Sequence, residues 1–268
     1  RLRCMSQTLQ LLALTLYGGS AALALAPFAG VRPVPRALLL GVPAIGAVAH
    51  AWVVTRGTLV GLSPALSLIA LCLILLQLAS EAMLRASAVA LFTAPLAAGF
   101  VGLAILLAPA PTAPAVAERN VWLVAHVSLS GLGLALLTVA GAAAALYLVQ
   151  FHQLKAKRFG PVFQMFPPLD QLDRLNRAAL VVGFVTLTFG ALLAVGYEVR
   201  FAGAAPVNPP MVVWGTFTWG VLGWAVWARI VRRWSGRPAA VASLTGLGAV
   251  VLVYLALKLA APGSERFL

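Results

Sequence analysis

VWLVAHVSLSGLGLALLTVAGAAAALYLVQ, residues Val121 to Gln150, runs for thirty positions without one charged side chain. A helix of that length rises about 45 Å, more than the roughly 30 Å hydrocarbon core of a bilayer. Seven more apolar runs flank it, at 7–26, 37–55, 60–79 and 86–107 before and at 178–197, 211–230 and 239–260 after. None alternates polar with apolar residues, so a closed barrel is excluded and helices alone satisfy the backbone in lipid. Composition agrees: 62% hydrophobic, 9% charged, mean hydropathy +0.99. A water-soluble domain carries about 25% charged residues. The expected fold is all-α, a polytopic integral membrane bundle of about eight transmembrane helices. Residues 1–268 are expected to form a single transmembrane domain.

The net charge of +13 does not point to nucleic acid, because the cations sit at span ends, where they set topology. The link 151–177 holds Lys155, Lys157, Arg158, Arg174 and Arg177, the link after span seven holds Arg232, Arg233 and Arg237, and the first link adds Arg32 and Arg36. These links share one side, which the positive-inside rule makes cytoplasmic, so both termini are expected outside. Arg56, Arg119 and Arg200 stand one to a link on the other side. Cys4 and Cys72 lie at different depths, so no disulfide is expected. Met5 is a possible natural start, and the first run is expected to be a retained span.

The small residues Ala140 to Ala145, with Gly131, Gly133 and Ala135, let a neighbouring helix approach span five closely. After Pro167 and Pro168, leucines at three-residue spacing predict a short amphipathic helix over 169–177 at the membrane interface. Asp170 with Arg174 and Asp173 with Arg177 fall four apart on its polar face. Span six carries the threonines and glycines of Gly183-Phe-Val-Thr-Leu-Thr-Phe-Gly190. Span seven carries Trp214, Trp219, Trp224 and Trp227, of which Trp214 fits an interfacial belt while Trp219 and Trp224 lie too deep for one.

Of three histidines, His152 reads as interfacial, beside Lys155. His50 and His126 each lie about six residues inside the external face, at a matched depth of roughly 9 Å. An imidazole in lipid is costly and faces the protein interior. Two readings stay open. Each ring makes an interhelical hydrogen bond, or the two ligate one metal, for which haem iron is the natural candidate. Trp52 and Trp122 are near enough in sequence to line such a pocket, with Arg56 and Arg119 as rim cations for propionates and Arg200 in reserve. Zinc wants further ligands, and none stands nearby. No P-loop, inverted repeat or buried carboxylate relay is visible, and no catalytic residue is assigned.

The order of Trp122 and His126, then Tyr147, Gln150, Leu154 and Lys155, then 167–177, 183–190 and Trp214-Gly-Thr-Phe-Thr-Trp219 resembles the cytochrome c assembly family of membrane proteins (CcsA-like) in its smaller HemX-like branch. The resemblance implies haem b handling in c-type cytochrome biogenesis at an external face, in a bacterial cytoplasmic (inner) membrane. It maps His126 onto the family's external histidine, His50 onto the second-span histidine of this branch, and Trp214 and Trp219 onto the remains of a tryptophan-rich haem-binding loop. That loop, 198–213, is short here, and Gly263-Ser-Glu265 stands where a histidine often follows the last span. Both departures argue against a complete haem-attaching synthetase. Implied partners are haem, the lipid bilayer and other cytochrome c biogenesis proteins. The alternative function is a non-catalytic HemX-like regulator or scaffold acting on glutamyl-tRNA reductase, a cytosolic tetrapyrrole enzyme, through the link 151–177. An unrelated small-molecule transporter is the third reading.

Overall fold

The uncharged run at 121–150 belongs to one helix of 35 residues, Val121–Lys155. That helix is α5 of eight in a computed structural model describing residues 2–30, 34–57, 61–84, 89–108, 121–157, 167–200 and 209–260. The others are α1 Leu2–Leu25, α2 Arg36–Arg56, α3 Leu62–Leu84, α4 Ala90–Leu106, α6 Leu169–Arg200, α7 Pro209–Ile230 and α8 Arg237–Ala260. No strand occurs among the described residues. Seven of the helices are long and apolar enough to cross a membrane, and α4, at 17 residues, is a shorter apolar helix. The chain is an all-α polytopic membrane protein. Prolines mark the starts: Pro35 precedes α2, Pro168 precedes α6, and Pro209 opens α7, where a missing N–H costs nothing.

The chain divides into two compact units, residues 1–117 and 118–268. In the first, α1 packs on α2 and α4, and α3 packs on α2 and α4, closing a ring of four. Its core is small and aliphatic, with Tyr17, Leu73, Ile74 and Val101 almost fully enclosed. The second closes a like ring of α5 to α8, with α5 and α6 as its tightest pair. Glycine makes that closeness. A methyl group on Gly133 would stand 2.5 Å from Leu187 Cγ and 3.2 Å from the Gly183 carbonyl oxygen. One on Gly183 would meet the Gly133 carbonyl oxygen at 3.3 Å, so the two backbones touch.

Three details differ from the sequence expectation. The amphipathic stretch 169–177 is not a separate interfacial helix but the first turns of α6, a continuous helix of 32 residues. No glycine or proline breaks it between Leu169 and Val182, and its leucine stripe turns inward, with Leu172 buried. Asp170 pairs with Arg174 at 2.8 Å, as the spacing suggests, but Asp173 pairs with Arg229 of α7 at 2.8 Å, not with Arg177. Finally, polar burial extends well beyond the histidines singled out above. Ser20, Ser67, Gln77, Glu81, Thr93, Gln150, Asn176, Thr218, Arg229 and Ser243 are all enclosed.

Candidate functional site

His50 and His126 belong to different units. His50 is fully buried in α2. Gly46, one turn earlier, leaves a bare patch over which the Tyr17 ring lies; a methyl there would stand 2.8 Å from Tyr17 Cε1. The ring so placed brings the Tyr17 hydroxyl to 3.1 Å from His50 Nδ1. On the other side His50 Nε2 lies 2.7 Å from Ser67 Oγ of α3. A neutral imidazole donates from one nitrogen and accepts at the other. With Tyr17 donating to Nδ1, Nε2–H donates to Ser67, and the other tautomer exchanges the parts. Either way both nitrogens are used, and His50 ties α1, α2 and α3 together. Nearby, Gln77 donates to Ser20 Oγ at 2.9 Å, and Thr93 donates to Gln77 Oε1 at 3.1 Å, adding α4. At the far end Arg36 donates to the carbonyls of Glu81 and Ala82 at 3.1 and 3.2 Å, with its Nε 3.7 Å from the Glu81 carboxylate.

His126 is held differently. Its Nδ1 lies 2.8 Å from the carbonyl oxygen of Gly190 in α6. A carbonyl only accepts, so Nδ1 carries a proton, and in the neutral ring Nε2 then carries the lone pair. Nε2 has no partner among the described residues, and the side chain is half-buried. Glycine again makes room: a methyl on Gly190 would press on Ser130 Oγ at 2.7 Å, and one on Gly196 would touch the Trp122 ring at 3.2 Å. Trp122 and His126, one turn apart on α5, thus reach a strip of α6 bared of side chains. Trp122 remains 38% exposed.

Trp219 donates from its indole N–H to Thr188 Oγ1 at 3.1 Å and packs on Phe184 with ring centres 5.6 Å apart, fastening α7 to α6. Trp214 donates to the Val250 carbonyl at 3.1 Å and meets Tyr254 edge-on, fastening α7 to α8. In the first unit the Arg56 guanidinium stands 5.8 Å over the Trp52 ring. Arg119 lies outside the described residues.

Sequence reasoning missed Tyr17 and Ser67, the partners of His50, and Gly190, the partner of His126. It also missed the polar centre of the second unit. Arg229, with its side chain 2% exposed, donates from Nη1 to Asp173 and from Nη2 to Asn176 Oδ1. Asn176 Oδ1 also accepts from Ser243 at 3.1 Å, and Asn176 Nδ2 donates to the Ala140 carbonyl at 2.7 Å. Asp173 further accepts from the backbone N–H of Gly236 at 3.0 Å. One network therefore stitches α5, α6, α7, α8 and the α7–α8 turn. The only advance signal was an arginine standing inside a span end, which is expensive unless partnered.

Haem iron takes a neutral imidazole nitrogen with a free lone pair, its other N–H commonly held by a carbonyl. His126 fits that demand. His50 does not fit it while Ser67 and Tyr17 hold both its nitrogens. Comparison with known proteins bears on the same residues. The chain is 27% identical over 222 residues to the cytochrome c biogenesis protein CcsA of Synechococcus elongatus, covering 65% of this chain and 68% of that one. It is 30% identical over 174 residues to CcsA of Guillardia theta, covering 59% and 57%. With CcsA of Microcystis aeruginosa it shares 25% over 241 residues, covering 71% and 73%. The family model for cytochrome C assembly proteins matches residues 59–263, which takes in His126, Trp122, Trp214 and Trp219 and leaves out His50, Trp52 and Arg56. By that match the chain belongs to the cytochrome c assembly protein family.

Proposed function

We propose that this protein is an integral membrane component of c-type cytochrome biogenesis that binds haem, or hands it on, at the external membrane face. One observation carries the reading: the His126 ring is oriented by Gly190 through Nδ1 and offers an Nε2 that has no partner among the described residues. Relatives named for cytochrome c biogenesis support the process. Haem would supply an iron centre that accepts an imidazole, and His126 is the residue that would hold it. Trp122, beside His126, presents an exposed ring face for apolar contact with a macrocycle. Trp214 and Trp219 serve the scaffold instead, keeping α7 in register with α8 and α6. His50 is the hydrogen-bonding hub of the first unit in this conformation, and a ring nitrogen of its own becomes free for a ligand only where Ser67 or Tyr17 releases it.

Titration of the purified protein with haemin, followed by its Soret band, tests the proposal. The parent develops a saturable band and His126→Ala loses it. A parent that stays colourless at saturating haemin overturns the haem reading, and in that case retention of glutamyl-tRNA reductase would favour the scaffold. Orientation is tested separately. With Lys155 replaced by cysteine in a cysteine-free background, an impermeant thiol reagent should not label intact cells.

A further inference from the structure

The second unit concentrates cations at the end where α5 and α7 finish and α6 and α8 begin. That these four ends are neighbours follows from contacts: Arg229 and Gly236 both bind Asp173, and the Arg237 guanidinium stands 5.9 Å over the Phe151 ring. Two acids are present among the described residues there, and both are taken. Asp170 is bound to Arg174, and Asp173 to Arg229. Lys155, Lys157, Arg177, Arg232, Arg233 and Arg237 are exposed and pair with no carboxylate among the described residues.

Two of these cations stand in strained backbone. Arg233 and Lys157, at φ 52° and 53°, are the non-glycine residues with positive φ among the described residues. Arg233 closes α7 inside a turn in which the Trp234 N–H donates to the Ala228 carbonyl at 3.0 Å. That is the helix-end position where glycine is least strained. Lys157 ends α5 in the same left-handed conformation, its N–H donating to the Leu154 carbonyl at 3.0 Å. The negative end of a helix dipole favours a cation nearby, which explains charge in the last turn. It does not require the charge to occupy the left-handed position itself.

The cations also adjoin apolar surface. The Arg232 guanidinium lies 5.8 Å over the Trp227 ring, and Trp227 and Trp224 are 45% and 50% exposed on a membrane-spanning helix. Trp234 meets Trp224 edge-on with centres 5.8 Å apart, extending the aromatic surface to the helix end. A partner that satisfies both parts is an amphiphile, with an anionic head for the cations and a chain for the rings.

We propose that this end of the second unit is a binding site for anionic phospholipid, with the headgroup phosphate on Arg232, Arg233 and Arg237 and the acyl chain along Trp227 and Trp224. Guanidinium forks match phosphate oxygens bidentately. A soluble acidic protein would meet the cations but not rings set in the apolar layer.

The full chain in nanodiscs of equimolar phosphatidylcholine and phosphatidylglycerol tests this, with brominated chains carried by one lipid or the other. Tryptophan quenching should be stronger when phosphatidylglycerol carries the bromine, and the preference should shrink as salt screens the charges. Arg232→Gln and Arg237→Gln should each cut the preference by up to about fivefold, the worth of one surface cation. Arg233→Gly is the sharper variant. It relieves the backbone, so thermal stability should hold or rise, while the lipid preference falls like the others. Equal quenching by both lipids in the parent overturns the site, and so does an unchanged preference in Arg233→Gly. Tight binding of soluble polyglutamate to the parent in pure phosphatidylcholine discs also overturns it, assigning the end to an acidic protein.

Discussion

The two units solve the same problem with different chemistry, and the difference decides what each histidine is free to do. Each must fasten four helices without help from water. The first uses neutral groups at its centre, joining α1, α2 and α3 through Tyr17, His50 and Ser67 and adding α4 through Gln77 and Thr93, with the Arg36–Glu81 pair kept to one end. Its histidine is consumed by that task. The second fastens its helices with Arg229, Asp173, Asn176 and Ser243, far along α5 from His126. Its histidine is left with one anchored nitrogen and one without a partner among the described residues. A buried imidazole is therefore no signal of ligand binding until its hydrogen bonds are counted.

The comparison breaks most violently at Arg229. Arg229→Ala leaves Asp173 and Asn176 facing a void, and removing one member of a buried pair costs about 3–5 kcal/mol. The second unit should lose its fold, seen as a lowered detergent melting temperature and early proteolysis within 118–268. A variant as stable as the parent would show that the ion pair does not carry the unit. Gly141→Leu comes next. Any side chain there drives into Leu247 of α8, and overpacking costs about 1–3 kcal/mol. Unchanged melting of that variant would mean that α5 and α8 do not pack as described.

His50→Ala and His126→Ala sharpen the contrast between the histidines. His50→Ala removes two hydrogen bonds, each worth about 0.6–2 kcal/mol in a membrane interior, and opens a cavity beneath Tyr17. It should lower the melting temperature and leave the Soret band intact. His126→Ala removes one such bond at a half-buried position, about 1 kcal/mol. It should abolish the Soret band with little change in melting. The smallest effect belongs to Ser67→Ala, which leaves His50 with Tyr17 alone, at roughly 0.6 kcal/mol. If that variant takes up a second equivalent of haem, His50 is a capped ligand and not only a hub.

Most of the helices were legible because apolar run length is a local property. The long uncharged run of α5, the Asp170–Arg174 pair and the packing value of Gly133 and Gly141 are all consequences of spacing along one helix. The partners were not legible. Asp173 has a cation four residues on at Arg177, yet it binds Arg229, 56 positions away. Helical periodicity says which residues share a face and nothing about which helix that face meets. His50 finds Tyr17 and Ser67 for the same reason. The continuity of α6 was hidden by a change of composition at Ala178, from amphipathic to uniformly apolar, that alters the environment of a helix without ending it.

The glycine contact between Gly133 and Gly183 has a mechanical consequence. It is a point where two backbones touch, and it sits unevenly along α5. From Gly133 to His126 is about 10 Å of helix, and from Gly133 to Lys155 about 33 Å. The contact is a fulcrum with arms in the ratio of roughly one to three. A sideways shift of about 3 Å at the basic end, as lipids exchange or a partner pushes, arrives at His126 as about 1 Å in the opposite direction. A helix rocking on that contact would work as a reducing lever, steadying the imidazole against disturbance at the far end of the helix.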